Sequence, residues 1–332
     1  MSDRGVVATI VRPRSLRPHE ALSLAAGALD KARFAVIVAP LEGNPVACLG
    51  RWQRATSATS FEPAEEVIRR RTGGVCLSMG AGQVYVAIAA PRWTTLFDTT
   101  PRTVLSRWVR PVLRGLSMIA PGAHYFGRDW ITVSHRPVAW VGWEIAPSGA
   151  TLLEALVGVS SPFLPPVEAS RYPARLEDPL RDAKPSTLWD VGIQRGAGDV
   201  AERLARGLAE GIGVPLEDGD VPLGSIDATP FDPHLVWGWP SEGPIGFAEA
   251  GIGISQGTIV RARLAGDFYA DSGGVAEVER GLQGLAPDAI SIGKVVDAVY
   301  AGERHHVEGL ASHRSIAGAF LRAVEREREG RG

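Results

Sequence analysis

Apolar runs of strand length alternate with helix-length amphipathic segments along most of the chain. The unbroken runs at residues 34–39 and 84–90 are typical of buried central strands, and residues 6–11 and 46–49 predict shorter strands. A proline in the first turn predicts a helix over residues 18–29. A short helix is expected over residues 62–68. A second proline-led helix is expected after Pro101, with one interruption at Pro111.

The second half of the chain repeats this mixture of strands and helices. Residues 131–133, 138–145 and 150–153 predict strands, and residues 200–211 predict a helix capped by Asp199, with Glu202 completing a capping box and Gly213 ending it. Asp, Pro and Gly dominate from 213 to about 244, as in a linker. Beyond it we expect a strand at 257–264 and helices at 275–282, 292–300 and 313–327.

The element order indicates an α+β protein, a mixed sheet with helices followed by a small α+β appendage. We expect a large domain over residues 1–225, a linker over 226–244 and a small C-terminal domain over 245–332. Hydrophobic residues make up 45% and charged residues 22% of the 332 residues, as in an ordinary soluble protein. The net charge of −2 gives no global attraction to nucleic acid or to anionic membranes.

The two cysteines and the chain start indicate a cytoplasmic protein. Cys48 and Cys76 lie in apolar surroundings without CxxC spacing, so we expect buried, reduced thiols. The first residues lack the apolar core of a signal peptide, and no stretch approaches 18 apolar residues, so no membrane span is expected.

Arginine replaces lysine almost completely. Of 35 basic residues three are lysines, at positions 31, 184 and 294, which leaves 32 arginines. Genomic base composition explains such a bias without any binding role. A mechanism that needs a lysine nevertheless has only three candidates.

The most chemically suggestive segment is Arg69-Arg70-Arg71-Thr72-Gly73-Gly74, which we call the arginine box. Guanidinium groups bind carboxylate or phosphate oxygens with paired hydrogen bonds, and glycines let backbone N–H groups approach an anion. The alternative is a basic β-hairpin on a solvated face, which is the commoner meaning of such a segment standing alone.

Other motifs accompany the arginine box in a specific order. They are a proline-led helix, an Asn-Pro turn at 44–45, a G-R-x-Q box at 50–53, the arginine box, Gly127-Arg128-Asp129, and Gly266-Asp267-Phe268-Tyr269. Together they resemble the lipoate–protein ligases of the biotin/lipoate ligase superfamily, from about residue 17 to residue 325. The resemblance implies a sheet domain related to class II aminoacyl-tRNA synthetases and a small C-terminal domain that carries the G-D-F-Y segment.

The same resemblance implies an activity. Ligases of this family activate a carboxylic acid with ATP and Mg²⁺ and pass the acyl group, lipoate or octanoate, to a lysine of a carrier domain. It assigns the anionic groups to Arg69, Arg70, Arg71, Thr72, Gly73 and Gly74. Gly50 and Gln53 would shape the wall of the acyl tunnel, and Asp129 would act with the metal and nucleotide. A turn residue before a strand is the equal alternative for Asp129.

Several positions depart from the family pattern. Val75 stands where a third glycine is usual, and Met79-Gly80 replaces a histidine-aspartate pair. The essential lysine is expected at Ala139, where a methyl group cannot hold adenylate oxygens. Lys184 is the one remaining lysine that we can place near the site.

Cysteine and tryptophan offer two further possibilities. Related transferases dispense with ATP and use a cysteine nucleophile, but Cys76 lies at the wrong place in the chain for that role, and a structural thiol is the better explanation. Trp130, Trp140 and Trp143 crowd the segment that lacks the lysine. Core packing explains them, and a remodelled apolar pocket is the alternative.

Two hypotheses therefore stand. The chain is a divergent ligase that acts on a lipoyl carrier domain, or it is an inactive paralogue that binds a lipoyl-type ligand, a carrier domain or a partner ligase subunit. Ala139, Val75 and Met79-Gly80 favour the second hypothesis.

Overall fold

The computed structural model describes residues 8–11, 14–55, 66–125, 129–163, 186–226, 234–242 and 246–330. The strands in this part of the chain are β1 (Ala8–Val11), β2 (Ala35–Pro40), β3 (Val46–Leu49), β4 (Val67–Arg69), β5 (Leu77–Met79), β6 (Gln83–Ala90), β7 (Ala123–Tyr125), β8 (Trp130–Val133), β9 (Arg136–Ile145), β10 (Thr151–Gly158), β11 (Leu216–Asp218), β12 (Val236–Trp237), β13 (Ser241–Glu242), β14 (Phe247–Ser255), β15 (Thr258–Gly266), β16 (Tyr269–Ala270) and β17 (Val307–Glu308). The helices are α1 (Pro18–Asp30), α2 (Val104–Ser117), α3 (Ala197–Ile212), α4 (Ser272–Gly281), α5 (Ala289–Tyr300) and α6 (Arg314–Glu329).

The main sheet has eight strands in the order β11-β1-β2-β6-β10-β9-β8-β7. The pairs β11–β1 and β1–β2 are parallel and the other neighbours are antiparallel. Every residue of β6 and β10 is buried, because both strands lie in the centre of the sheet and are covered on both faces. Helix α1 contacts β2, β6 and β10, and α2 packs along α3 and against β9 and β10.

Within the described residues three smaller sheets accompany the main sheet, and the smallest pairs β16 with β17. Strands β4, β3 and β5 form a three-stranded sheet with β4 parallel to β3. Strand β14 pairs with β12, β13 and β15 in the C-terminal part of the chain, where a second hydrophobic cluster is formed with α4, α5 and α6. The α+β class predicted from the sequence is confirmed. The domain boundaries remain a prediction, and β12 and β13 lie within the predicted linker.

Four local expectations were wrong. Residues 67–69 form strand β4, so the short helix predicted to reach residue 68 is not present there, and the rest of that prediction falls mostly outside the described residues. Helix α3 begins after Gly196, so Asp199 lies in its first turn and is not its N-cap. Helix α2 continues through Pro111, which faces the neighbouring α3 at Gly211. Residues 216–218, in the Asp-, Pro- and Gly-rich stretch from 213 to about 244, are strand β11, at the edge of the main sheet.

None of the helices in the described ranges is both long and apolar enough to cross a membrane.

Candidate functional site

Two motifs meet at the ends of the parallel strands β3 and β4. Leu49 pairs with Arg69, so Gly50 and Arg70 follow their strands side by side. A Cβ on Gly50 would lie 2.1 Å from the carbonyl oxygen of Gly74, which explains why this position needs glycine. The G-R-x-Q box therefore lies beside the arginine box.

Arg69 holds the G-R-x-Q turn. Its guanidinium donates to the carbonyl oxygens of Gly50, Arg51 and Gln53 at 2.9, 3.2 and 2.5 Å. The side-chain oxygen of Gln53 accepts from the backbone N–H of Gly50 at 2.8 Å. Gly50 and Gln53, which the resemblance assigns to the site, are thus hydrogen-bonded to each other and to Arg69 within the protein.

Arg70 is the most deeply buried of the three arginines in the arginine box, with 1% of its surface exposed. It donates to the carbonyl oxygens of Cys48, Gly73 and Val75 at 3.0, 2.6 and 2.7 Å, and to the Thr72 hydroxyl at 3.2 Å. The ring of Trp140 lies 4.3 Å from its guanidinium carbon. Backbone carbonyls and an aromatic face therefore satisfy this cation within the protein.

Arg71 points outward to the end of α1. It forms an ion pair with Asp30 at 2.7 Å, and 21% of its side chain is exposed. Its Nε is buried without a hydrogen-bond partner. Each of the three arginines that the sequence assigned to anionic groups thus binds a protein acceptor.

The donors of Thr72 face a carboxylate. Glu154, a buried residue of β10, accepts from the Thr72 backbone N–H at 3.2 Å and from its hydroxyl at 2.5 Å. The Tyr85 hydroxyl donates to the other oxygen of Glu154 at 2.5 Å. Burial and this neighbouring carboxylate raise the pKa of Tyr85 well above its usual value, so the phenol stays protonated and donates.

Gly73 and Gly74 contact the C-terminal part of the chain. The Gly74 N–H donates to the Phe268 carbonyl at 3.1 Å, and a Cβ on Gly73 would lie 2.4 Å from the same oxygen. Gly74 has φ of +89°, and a Cβ there would lie 2.2 Å from the Tyr269 hydroxyl. The G-D-F-Y segment therefore packs directly on the arginine box.

Tyr269 links this contact to Asp129. Its hydroxyl accepts from Trp140 Nε1 at 3.0 Å and lies 3.4 Å from an Asp129 carboxylate oxygen. Asp129 is 1% exposed, and Gly127 and Arg128 lie outside the described residues. No group of three or more His, Cys, Asp or Glu side chains in the described ranges is arranged to hold a metal ion. The role of Asp129 with a metal stays a prediction.

Ala139, where the resemblance places the family lysine, lies on the other face of the main sheet from the arginine box. Ala139 pairs with Val157, whereas Trp140 pairs with Leu156, which pairs in turn with Tyr85. Because successive side chains of a strand alternate between faces, Trp140 points to the arginine box and Ala139 points away from it. Ala139 is fully buried.

The lysines offer no replacement among the described residues. Lys31 is exposed directly after α1, and Lys294 is exposed on α5 in the C-terminal part of the chain. Lys184 lies outside the described residues, so its approach to the site stays a prediction.

Both cysteines are buried and reduced. Burial raises the pKa of Cys48 to about 11 and that of Cys76 above its usual range, despite the nearby Arg70. A thiol that remains protonated is a poor nucleophile, in agreement with the structural role expected from the sequence.

Sequence reasoning missed two buried carboxylates on the same face of the sheet. Glu154 and Glu144 are each the lone charge in an otherwise apolar strand segment, which was the available signal. Glu144 accepts from the Ser272 hydroxyl and lies 3.8 Å from Arg51. Burial raises its pKa to about 7, opposed by Arg51. The His305 side chain is also largely buried, with Nδ1 2.6 Å from Asp271.

Comparisons with known proteins identify the fold that this chain shares with solved structures. No family model and no curated protein matches the chain. Among solved structures, P. falciparum LipL1 in complex with lipoate is 14% identical with a TM-score of 0.64, over 95% of this chain and 99% of that one. A bipartite lipoate protein ligase from Thermoplasma acidophilum is 14% identical with a TM-score of 0.50, over 65% of this chain and 86% of that one.

These likenesses define the class by structure. The chain has the fold of lipoate–protein ligases, as the sequence motifs predicted. The match to P. falciparum LipL1 includes the C-terminal part of the chain as well as the main sheet.

Proposed function

We propose that this protein is a non-catalytic binding protein built on the lipoate–protein ligase fold, and that it recognises a lipoyl carrier domain. The observation that carries the proposal is the hydrogen bonding of Thr72, whose N–H and hydroxyl both donate to Glu154. These are the donors that a ligase of this family would turn toward its acyl and phosphate anions.

Electrostatics support the same conclusion. Arg70 already serves three carbonyl oxygens and a hydroxyl, so its charge is held inside the protein. A carboxylate or triphosphate entering the arginine box would meet the buried oxygens of Glu154, and like charges at short range in a low-dielectric interior repel strongly. Electrostatic stabilisation of an acyl-adenylate requires the opposite arrangement, with free donors aimed at the developing charge.

An active ligase is the competing function. It is supported by the full-length fit to LipL1, whose structure holds lipoate. It would require lipoate or octanoate, ATP and Mg²⁺ at the arginine box, and a lysine to replace the one absent at Ala139. Within the described ranges no lysine contacts this box, and Lys184 would have to fill that role.

The partner is inferred from the domain composition. The Thermoplasma protein is described as a bipartite ligase with its E2 lipoyl domain, and it corresponds to about two thirds of this chain. Here the C-terminal part is already present in the same chain and packs on the arginine box through Phe268 and Tyr269. A carrier domain therefore fits the proposal better than a second ligase subunit.

One experiment separates binding from catalysis. The protein is incubated with octanoate or lipoate, Mg²⁺-ATP and an apo E2 lipoyl domain, and the mass of the carrier and the release of pyrophosphate are followed. We expect no mass gain and no pyrophosphate. A true lipoate–protein ligase under identical conditions is the positive control. Acyl transfer by this protein, lost in Lys184→Ala, would establish the ligase instead.

Binding is measured in parallel by calorimetry with the same apo and lipoylated domains. We expect saturable binding of the lipoyl domain without ATP. Absence of binding to both forms would overturn the proposed function.

A further inference from the structure

The outward face of α2 is basic and carries no acidic residue. Arg107, Arg110 and Arg114 are exposed and share one face, because residues three and four positions apart are neighbours on a helix. We call them the α2 arginine face. Residues 101–117 contain no Asp or Glu, although the chain as a whole has a net charge of −2. The positive charge is therefore local to this surface.

Two of these arginines have no partner in the described part of the chain. Arg114 forms an ion pair with Glu210 of α3 at 3.1 Å, with 60% and 46% of the two side chains exposed. Such an exposed pair is weak and exchanges readily for another. Arg107 and Arg110 form no ion pair or side-chain hydrogen bond with any described residue.

The face lies on a rigid support. A Cβ on Gly207 of α3 would lie 2.4 Å from Gly115 Cα, so the two helices are in close contact there. Trp108 is fully buried, and its Nε1 donates to the Trp93 carbonyl at 3.1 Å. Guanidinium groups on a fixed helix are pre-organised to meet a partner. Met118, 41% exposed just after the helix, adds an adaptable apolar contact.

The chemistry of this face favours a protein partner over a membrane or a nucleic acid. The apolar side of α2, which a membrane-surface helix would insert into lipid, is buried in the core. Within the described chain, the exposed positions of α2 are serine and arginine, with no aromatic ring for a base to stack on. Guanidinium groups at this spacing suit carboxylates on a facing protein surface.

We infer that the α2 arginine face is the docking surface for an acidic face of the carrier domain. This inference rests on the proposed function and adds the surface through which it would operate. Exposed charges of this kind raise the association rate and fix the orientation of a partner, and their effect falls with salt.

The test compares two charge-matched triple variants. One carries Arg107→Glu, Arg110→Glu and Arg114→Glu. The control carries the same three changes at exposed arginines outside α2, namely Arg14→Glu, Arg33→Glu and Arg280→Glu. The probe is an E2 lipoyl domain of net negative charge, titrated at 25, 150 and 400 mM salt, and thermal unfolding verifies that both variants are folded.

For the wild type we expect affinity to fall as salt rises. The α2 variant should bind about 10- to 100-fold more weakly at 25 mM salt, and the control should stay within about threefold of the wild type. If the α2 variant binds like the control, the inference is wrong and the proposed function stands. If the wild type does not bind at 25 mM salt, both are wrong. If single-stranded RNA binds the wild type at 150 mM salt more tightly than the lipoyl domain does, and only the α2 variant loses it, the partner class is wrong.

Discussion

The carboxylate of Glu154 accepts hydrogen bonds from both the backbone N–H and the hydroxyl of Thr72, at 3.2 and 2.5 Å. This relationship joins the arginine box to the centre of the main sheet. It occupies both donors of Thr72, in a segment whose composition suggests anion binding.

Replacing Glu154 by glutamine should destabilise the protein. The amide offers one acceptor oxygen for the two Thr72 donors, and its NH₂ group can face the Tyr85 hydroxyl only if that hydroxyl accepts, which leaves the buried phenol proton without its acceptor. We expect the free energy of unfolding in urea to fall by about 2 kcal/mol. The exposed Glu202→Gln on α3 is the control and should change it by less than about 0.5 kcal/mol. Equal stability of the two variants would contradict the hydrogen-bond network.

Gly74 offers a test of the contact between the box and the G-D-F-Y segment. The methyl group of an alanine at position 74 would lie 2.2 Å from the Tyr269 hydroxyl, and the alanine would have to adopt φ of +89°. Gly43 has nearly the same φ, +87°, with nothing within 4 Å of an added Cβ. We expect Gly43→Ala to lower the free energy of unfolding by about 1 kcal/mol and Gly74→Ala by about 3 kcal/mol.

The double variant Gly74→Ala/Tyr269→Ala identifies the source of the difference. If the clash with Tyr269 is the cause, the two substitutions together should destabilise less than the sum of their separate effects. Strictly additive effects, or equal costs at Gly43 and Gly74, would show that this contact does not determine the stability of the site.

The sequence was sufficient for the fold. Unbroken apolar runs identified β2, β3 and β6 because central strands are buried on both faces. The order of weak motifs identified the superfamily fold where no single motif could.

The sequence was insufficient to predict which groups the side chains of the arginine box bind. Which acceptors Arg70 serves depends on carbonyl groups from strand β3 and from the loop after β4, and every residue has a carbonyl. The partner of Thr72 is 82 residues away in β10. The register of β9 decides that Trp140 and not Ala139 faces Arg70. A motif aligned by its glycine does not show which of two successive side chains points to which face of the sheet.

Glu144 predicts a pH dependence of stability. Burial raises its pKa from 4.5 to about 7, while Arg51, the Ser272 hydroxyl and Arg71 lower it and Asp271 raises it. The folded state therefore binds a proton more tightly than the unfolded state. Between pH 4.5 and 7 the free energy of unfolding should fall as pH rises. Above about pH 7 the contribution of Glu144 to it should stay constant.

Glu144→Gln removes this proton and should flatten the profile. Relative to the wild type, the variant should gain up to about 3 kcal/mol between pH 5 and pH 8 in urea unfolding. The control Glu217→Gln changes an exposed residue and should leave the slope unaltered. Burial also raises the pKa of Glu308 to about 7, so Glu308→Gln should remove a separate part of the slope. Parallel profiles for the wild type and Glu144→Gln would refute the assignment.

A substitution of Arg70 can distinguish an arginine box with a structural role from one that binds a ligand. Lysine in its place would keep the charge but lose the planar fork that reaches Cys48, Gly73 and Val75, and the stacking on Trp140. We expect Arg70→Lys to lower the free energy of unfolding by about 3 kcal/mol or more, because a buried charge loses its acceptors. The exposed Arg33→Lys, with the same change of side chain, should have no measurable effect. Calorimetric titration with lipoate and with ATP completes the test. If the Arg70→Lys protein is as stable as the wild type but has lost affinity for lipoate or ATP, the arginine box binds anions and is not merely structural.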